Sequence, residues 1–487
     1  MIKGRIKKTD TYTIEIKTMF RPKKRRFRYA ENYTVETFYF LPLDMGINKR
    51  NYTNIDFYRE LKSYIKIDPP KVLLAEIANA EGDFMVKLEK AFQHQNANDV
   101  TSAEVLSDYI LVFMNILKKA IKREIRKIEY SNELSEKKRI THRLRKNMEI
   151  AVREFRAKIG DISLVENDFL RKTFHYSDEY ASNLRYRYTQ HLIYLFSKYE
   201  NEAGELLEKL REDLRQEINY RQEKNYPIVS ENNKQNAKML RRWDVVKYFV
   251  TNKLILNPRV DKEVRYILEI LYSIAAGIAM IFATAVAFYY GKKFGNFTYG
   301  LFVVLVISYM FKDRIKEWGR SFFNNILKKQ MLDHRFNLYN NNQKKLGVAH
   351  TGFSFIPMRN IRGEILEIRH QGDDTDVKVG EKVMKFTRKV KINSKRLKST
   401  FKEMNIRGIN DVLRFNFLPL TLRLEDPEIP IYLHNEDLEV VRKMASKSVP
   451  VHIVLAIQHG EQKFYEHYLL RINRNGIQKL KQIELIK

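Results

Sequence analysis

Residues 267–290 read ILEILYSIAAGIAMIFATAVAFYY, and this stretch decides the fold class of the chain. It carries one ionisable side chain, Glu269, in its first turn. A helix rises ~1.5 Å per residue, so a run of this length spans roughly 36 Å, enough for a tilted membrane crossing. A buried helix of a soluble protein normally has one polar face, and residues 270–289 show none. The stretch therefore predicts a transmembrane helix.

A second apolar stretch follows after a short polar turn. It runs from Phe297 to Phe311, which is short for a hydrocarbon core ~30 Å thick unless flanking side chains snorkel or the bilayer thins. Both outer flanks are basic, and the positive-inside rule then places both termini in the cytoplasm. We therefore expect a two-helix transmembrane hairpin at residues 263–312. The side chains expected at the membrane interface are Arg265, Lys312, Arg314, Lys316, Trp318 and Arg320.

Small residues recur at every fourth position along the first of these helices. Such a stripe lets another backbone approach closely. Packing against the second helix of the same hairpin is the favoured interpretation. Contact between subunits, which would make the protein a homo-oligomer, is the alternative. The helix-packing residues are Ala275, Ala279, Ala283 and Ala287.

The rest of the chain is long enough for several domains of ordinary size. The whole chain has 487 residues, 44% of them hydrophobic, and a formal net charge of +30. These values allow large packed cores and favour an anionic partner. We expect a multidomain membrane protein. Its parts are a β-rich N-terminal segment (residues 1–70), a mainly α-helical cytoplasmic domain (71–262), the hairpin (263–312), an amphipathic juxtamembrane helix (313–343) and a C-terminal α+β cytoplasmic domain (344–487).

The middle domain shows helical periodicity almost throughout. Apolar residues between Leu106 and Ile121 recur at helical spacing and predict one buried face, while Lys118-Lys119 and Lys122-Arg123 make the opposite face basic. A further pattern from Ser177 to about residue 225 predicts one long helix. An array of helices with charged outer faces is typical of a scaffold or sensor domain.

The C-terminal domain reads as strands with interspersed helices. Strands are expected at Gly352–Ile356, Glu364–His370, Lys382–Ile392, Val412–Leu424, Pro450–Gln458 and Lys463–Ile472, and a helix at Glu436–Ser446.

If His459-Gly460 is the turn of the last hairpin, His452 stands opposite His467. Two such imidazoles could hold a metal ion or report pH, although no third ligand is evident. A surface or stacked pair is the default interpretation.

A basic loop near the N-terminus is a second candidate site. Residues 1–28 hold 11 basic and 2 acidic side chains. Such a loop could contact phosphates of lipid or of nucleic acid. A solvated hairpin loop is the alternative, and an anionic lipid bilayer is favoured over nucleic acid as the partner. The anion-binding residues are Lys23, Lys24, Arg25, Arg26 and Arg28.

Several classes of chemistry have no signal in this sequence. The chain has no cysteine, which excludes disulfides, thiolate metal sites and a cysteine nucleophile. Phosphate-binding loops of the Walker type, GxSxG elbows and HExxH helices are absent, so we expect no cofactor.

The leading hypothesis is a scaffold or sensor anchored in a bacterial inner membrane, without catalytic activity and with an unknown protein partner. The alternatives are an oligomeric membrane effector or pore gated by its soluble domains, and an enzyme with a divergent site in the C-terminal domain.

Overall fold

The chain folds into two compact units. A computed structural model describes all residues except 1, 22–29, 80, 94–99, 161–165, 261–262, 295–297, 331, 341–342, 372–379, 401–405, 407, 435–438 and 486–487. One compact unit, called the β unit here, comprises Met1–Tyr64, Asn257–Leu397 and Asp411–Lys487. The other, the helical unit, comprises Ile65–Leu256 and Lys398–Asn410.

Strands occupy mainly the two ends of the described chain and helices the middle, as the sequence predicts. The strands are β1 (Ile2–Lys3), β2 (Ile6–Lys8), β3 (Thr13–Phe20), β4 (Ala30–Pro42), β5 (Leu61–Asp68), β6 (Ile255–Val260), β7 (His334–Tyr339), β8 (Lys345–Ile356), β9 (Glu381–Asn393), β10 (Gly408–Asn416), β11 (Glu428–His434), β12 (Val440–Ser446), β13 (Val449–His459), β14 (Gln462–Asn473) and β15 (Gly476–Ile483). The helices are α1 (Asn54–Glu60), α2 (Leu74–Ala78), α3 (Asp83–Gln93), α4 (Val100–Tyr130), α5 (Leu134–Ile159), α6 (Asp168–Phe196), α7 (Glu200–Glu223), α8 (Asn233–Asn252), α9 (Glu263–Phe294), α10 (Tyr299–Gln330), α11 (Gly363–His370), α12 (Ser394–Thr400) and α13 (Leu418–Thr421).

Antiparallel pairing links both ends of the chain within the β unit. The strands pair in the order β7-β8-β9-β4-β13-β14-β15, so the N-terminal strand β4 lies between two C-terminal strands. Strands β1 and β2 pair with β3. The sequence predicts separate domains at 1–70 and 344–487, whereas here the two segments share one sheet. Elements that follow one another usually lie side by side, so a pairing across more than 300 residues leaves no signal in the order of the elements.

Both faces of the central strands are buried. Side chains of a strand alternate between faces. Tyr39 and Ile453 therefore enter the main core, and their neighbours Phe38 and Val454 enter a second, smaller core. Helix α11 covers that second face with Ile365. The strand expected at Glu364–His370 was therefore wrong, because so short a run cannot distinguish the period of a strand from that of a helix.

The hairpin of β11 and β12 forms a separate two-stranded sheet. The helix expected at Glu436–Ser446 was wrong, because β-branched Val440 and Val441 pair with β11 instead. Every residue of β11 and nearly every residue of β12 is exposed, including Ile431 and Leu433.

Helix α4 buries the face that the sequence predicts. Leu106, Phe113 and Ile121 are fully buried. The single helix expected from Ser177 to about residue 225 is instead two helices, α6 and α7, separated by a 3-10 turn. A straight helix of that length would extend roughly 73 Å, too far for both halves to pack in one compact core.

The α9–α10 hairpin supplies the membrane candidate. Among the described residues, one helix is long and apolar enough to cross a membrane: it is Glu269–Lys293, with 25 residues and a mean hydropathy of 2.1. Little of it is buried, unlike the core helix of a soluble protein. Helix α10 is not apolar over a long enough stretch to meet the same requirement, because its apolar run ends at Phe311. The structure thus has one helix that could cross a membrane, and the second predicted crossing is not shown.

Helix α10 also extends beyond its apolar run. It continues to Gln330 without a break, so the juxtamembrane helix expected at 313–343 is the second half of α10. The last part of that range is not helical, because His334–Tyr339 forms β7 and pairs with β8.

Candidate anion-binding cleft

A cleft of about 690 Å³ lies between α4, α6 and α8 of the helical unit. Three of its cations, Lys118, Lys122 and Arg126, follow one another at intervals of four residues along α4. Residues four apart lie one turn apart on the same face of a helix, so these three side chains form one row. Arg187 on α6 and Lys247 on α8 complete the positive lining.

Buried polar contacts hold the three helices around this cleft. The Asn115 amide of α4 donates to the Val250 carbonyl of α8 at 2.9 Å. Helices α8 and α6 are joined by Arg242, whose guanidinium donates to the Glu179 carboxylate at 3.0 Å and 2.6 Å. The buried hydroxyls of Ser107 (α4) and Thr173 (α6) share a hydrogen bond of 3.2 Å. Each pair of helices is therefore fixed by a contact outside the cleft.

The two carboxylates that line the cleft already have partners. Asp244 lies 3.3 Å from Lys247, and Glu129 lies 3.0 Å from the imidazole of His191. By contrast, no described carboxylate lies within 4 Å of Lys118, Arg126 or Arg187. These three side chains therefore give the cleft an excess of positive charge. Anions are the ligands that such an excess attracts.

Lys118 is the most buried of these cations. Burial, together with the positive charges of Lys247 and Lys122, lowers the pKa of Lys118 to about 8. The other four cations lie at the exposed mouth. A lysine held among like charges gains most from an incoming anion, because the anion restores the charged form.

Aromatic rings form part of the wall. Tyr180 and Tyr188 from α6 and Trp243 from α8 line the cleft. The Arg187 guanidinium lies 4.9 Å from the Trp243 ring centroid, and the Lys118 ammonium lies 5.9 Å from that of Tyr180. Cation–π contacts of this kind hold cationic groups over flat surfaces.

Three polar atoms on this wall are buried without a hydrogen-bond partner among the described residues. They are the Tyr180 hydroxyl, Asn183 Oδ1 and Trp243 Nε1. Tyr180 and Asn183 are themselves more than nine-tenths buried. A buried polar group without a partner destabilises a fold by about 1–3 kcal/mol, so each of these three atoms would gain from a ligand that reached it.

A buried ionic network lies on another side of α6. Arg156 donates to Asp178 at 3.0 Å and to Glu217 at 3.2 Å, and Arg185 lies 3.3 Å from the second oxygen of Glu217. The Tyr226 hydroxyl donates to Asp178 at 2.7 Å. Burial would lower the pKa of Arg156, but Glu217 and Asp178 outweigh it and raise that pKa. The network keeps α5, α6 and α7 in register and thereby fixes the helix that carries the cleft wall.

The histidines of the last hairpin do come together. Gly460 and Glu461 form its turn, so His452 pairs with Leu469 and the predicted direct opposition to His467 was wrong by two residues. A slip of two keeps both side chains on one face. The two rings are buried, and His452 Nδ1 lies 2.9 Å from His467 Nε2. No group of three metal-ligating side chains occurs among the described residues, and metal binding stays a prediction.

The other predicted residues lie on the α9–α10 hairpin or outside the described residues. Ala275 and Ala279 are buried, whereas Ala283 and Ala287 are half-buried. On α10, Trp318 is 67% exposed. Charged neighbours on that helix are Lys312, Arg314, Lys316 and Arg320, the last paired with Glu317 at 3.2 Å. The side chain of Arg265 and the loop residues Lys23, Lys24, Arg25, Arg26 and Arg28 lie outside the described residues.

The cleft residues were not predicted as a site. The spacing of Lys118, Lys122 and Arg126 was a usable signal, because like charges four residues apart on one helical face repel each other and an anion between them relieves that repulsion. Nothing in the sequence shows that Arg187 and Lys247 face them.

Comparisons of the chain with protein-family models, with curated proteins and with solved structures find no match.

Proposed function

We propose that the protein is a membrane-anchored sensor without catalytic activity, whose helical unit binds a small anionic ligand in the cleft between α4, α6 and α8. The observation that carries this proposal is the set of lining cations, Lys118, Arg126 and Arg187, that have no described carboxylate within 4 Å. A cleft of about 690 Å³ is in the size range of small-molecule sites.

The membrane part of the proposal uses the α9–α10 hairpin. Helix α9 would cross the bilayer with Glu269–Lys293, and α10 would form a second, shorter crossing. Basic residues beyond the outer ends of both apolar runs favour two cytoplasmic termini and contact with anionic lipid. The cleft would then face the cytoplasm of a bacterial cell, where small anionic metabolites are plentiful.

Binding and membrane association can be tested on the full chain. After extraction of the membrane fraction at alkaline pH, we expect the protein in the pellet. In detergent, inorganic triphosphate should bind in a calorimetric titration. The double variant Lys118→Gln/Arg126→Gln should lose most of that affinity. Lys238→Gln removes one exposed charge from α8 away from the cleft and should change little.

Two results would contradict the sensor proposal. One is a wild-type protein that binds neither inorganic phosphate nor triphosphate at low salt. The other is a protein that alkaline extraction releases completely into the supernatant, because an integral protein stays with the lipid. The first result would contradict anion binding, and the second would contradict anchoring in the membrane.

One observation favours an oligomeric membrane effector as the second candidate. In the α9–α10 hairpin, Gly319 lies against Ala275. The antiparallel run of the two helices then places residues 312–317 of α10, which include five charges, level with residues 277–282 near the centre of the apolar span of α9. Charges at that depth are costly unless they face protein or water, which neighbouring copies of the hairpin would provide.

A further inference from the structure

We propose that the anion bound by the cleft is a nucleotide, with its phosphates among the cations of α4 and its base against the aromatic wall. This inference rests on the proposed function and assigns a ligand class to the same site. Three independent properties of the lining support it: its charge, its flat surfaces and its unpartnered polar atoms.

The row on α4 fits the phosphate end of such a ligand. Lys118, Lys122 and Arg126 lie about one helical turn, or ~5–6 Å, apart. Successive phosphates of a nucleoside di- or triphosphate can each contact one or two of these side chains. Charge-assisted hydrogen bonds to phosphate are among the strongest in proteins. A single anion of carboxylate size would leave part of the row unused.

The aromatic part of the lining offers surfaces for a base. Trp243 and Arg187 form a cation–π pair with 4.9 Å between the guanidinium and the ring centroid. Nucleobases stack on aromatic rings and on arginine planes, and such stacking contributes about 1–3 kcal/mol per base. A purely inorganic anion would gain nothing from these surfaces, which Tyr188 extends along α6.

The buried polar atoms supply what the edge of a base requires. Trp243 Nε1 is a donor, Asn183 Oδ1 an acceptor, and the Tyr180 hydroxyl can serve as either. None of the three has a hydrogen-bond partner among the described residues. A base stacked on the Trp243 ring lies parallel to it and cannot accept from Nε1, which points along the ring plane. Its edge would instead pair with Asn183 Oδ1 and the Tyr180 hydroxyl.

The tryptophan content of the chain provides a direct probe. There are two tryptophans, and Trp318 is exposed on α10. In the full-length Trp318→Phe protein, emission comes from Trp243 in the cleft alone. ATP, GTP, CTP and UTP would each be titrated in detergent beside inorganic triphosphate and the four nucleosides. We expect at least one nucleotide to quench this emission and to bind about tenfold more tightly than triphosphate.

Tyr180→Phe separates the base from the phosphates. The substitution keeps the ring and removes a hydroxyl that has no partner in the described structure, so folding should be unaffected. Nucleotide affinity should fall about three- to tenfold, the effect of one lost hydrogen bond, while triphosphate affinity stays the same. Lys238→Gln serves as the control for a change on α8 outside the cleft.

The outcomes distinguish this inference from the proposed function. If triphosphate binds as tightly as every nucleotide, the nucleotide assignment is overturned and the anion site stands. If no anion binds, both the nucleotide assignment and the proposed anion-binding function are overturned. If a 12-residue single-stranded RNA binds with a steep salt dependence while no mononucleotide does, the ligand is a nucleic acid and the nucleotide assignment is again overturned.

Discussion

Gly319 of α10 packs directly against Ala275 of α9. A Cβ atom built on Gly319 would come within 2.7 Å of the Ala275 Cβ, so only glycine allows the two helices to approach this closely. The guanidinium of Arg320 lies 5.7 Å from the ring centroid of Tyr272 on α9. This second contact is consistent with the same antiparallel register. This contact fixes which residues of α9 and α10 lie at the same level along the hairpin.

Replacing this glycine should separate the helices. The chain lacks cysteine, so the pair Ala279→Cys and Ile315→Cys, one turn from the contact, can be cross-linked without background. Adding Gly319→Leu should reduce cross-linking severalfold, because the leucine side chain cannot fit against Ala275. Gly277→Leu is the matched control, since nothing lies within 4 Å of a Cβ at that position. Unchanged cross-linking in Gly319→Leu would show that the close approach is not required.

The same register predicts where water reaches the hairpin. Asp313 lies level with Ile281 near the centre of the apolar span, and both side chains are exposed. We expect a membrane-impermeant thiol reagent to label Asp313→Cys in membranes and to leave Ile281→Cys unmodified, because charged side chains at this depth keep contact with water. Equal protection of both cysteines would mean that neighbouring protein covers the charges of α10 completely.

The ionic network on α6 predicts a large change in stability. Glu217→Gln leaves Arg156 and Arg185 without their shared carboxylate in a fully buried site. Breaking a buried ion pair on one side typically destabilises a protein by about 3–5 kcal/mol. Denaturant unfolding followed by circular dichroism would measure the loss. Glu208→Gln, which removes the exposed partner of Arg211, should leave the transition almost unchanged, and equal effects of the two would contradict a structural role for the network.

Lys118 predicts opposite pH trends for binding and for stability. Its pKa in the folded chain is about 8, below the usual 10.5. Anion affinity should therefore fall as pH rises through about 8, because the ammonium loses its charge. Between pH 8 and pH 10.5 the unfolded chain holds a proton that the folded chain has released, so the free energy of unfolding should rise with pH in that window.

A Lys118→Met variant isolates the contribution of this residue. It should be more stable than the wild type below pH 8, where the folded state otherwise keeps a buried charge, and it should bind triphosphate less tightly. Its binding should also lose the decline near pH 8. Titration calorimetry and thermal unfolding from pH 6 to pH 10 would measure both, and identical pH profiles of the variant and the wild type would refute the assignment.

The sequence predicted the order of strands and helices better than their assembly. The apolar pattern was enough to predict α4 and β13, because each has an unbroken run of buried residues, 109–117 in α4 and 451–457 in β13. The pairing of β4 with β9 and β13 was missed, since no local pattern encodes a contact between positions hundreds of residues apart. Short segments such as α11 were misassigned for a different reason: eight residues show too few turns to establish a period.

The cleft could be predicted only in part for the same reason. The row from Lys118 to Arg126 lies on one helix and its spacing is visible in the sequence. Its partners come from α6 and α8, and contacts such as Asn115 with Val250 determine that these helices lie together. Tyr180 and Asn183 appear as ordinary helical residues until burial shows that their polar atoms have no described partner.

The exposed hairpin of β11 and β12 has a consequence for experiments on the whole protein. It is a two-stranded sheet of its own, and isolated two-stranded hairpins are only marginally stable in water. Its amide protons should therefore exchange with deuterium much faster than those of β13, which is paired on both sides. Proteases should cut first between Ile429 and Ala445, and such a nick would leave the core strands of the β unit intact.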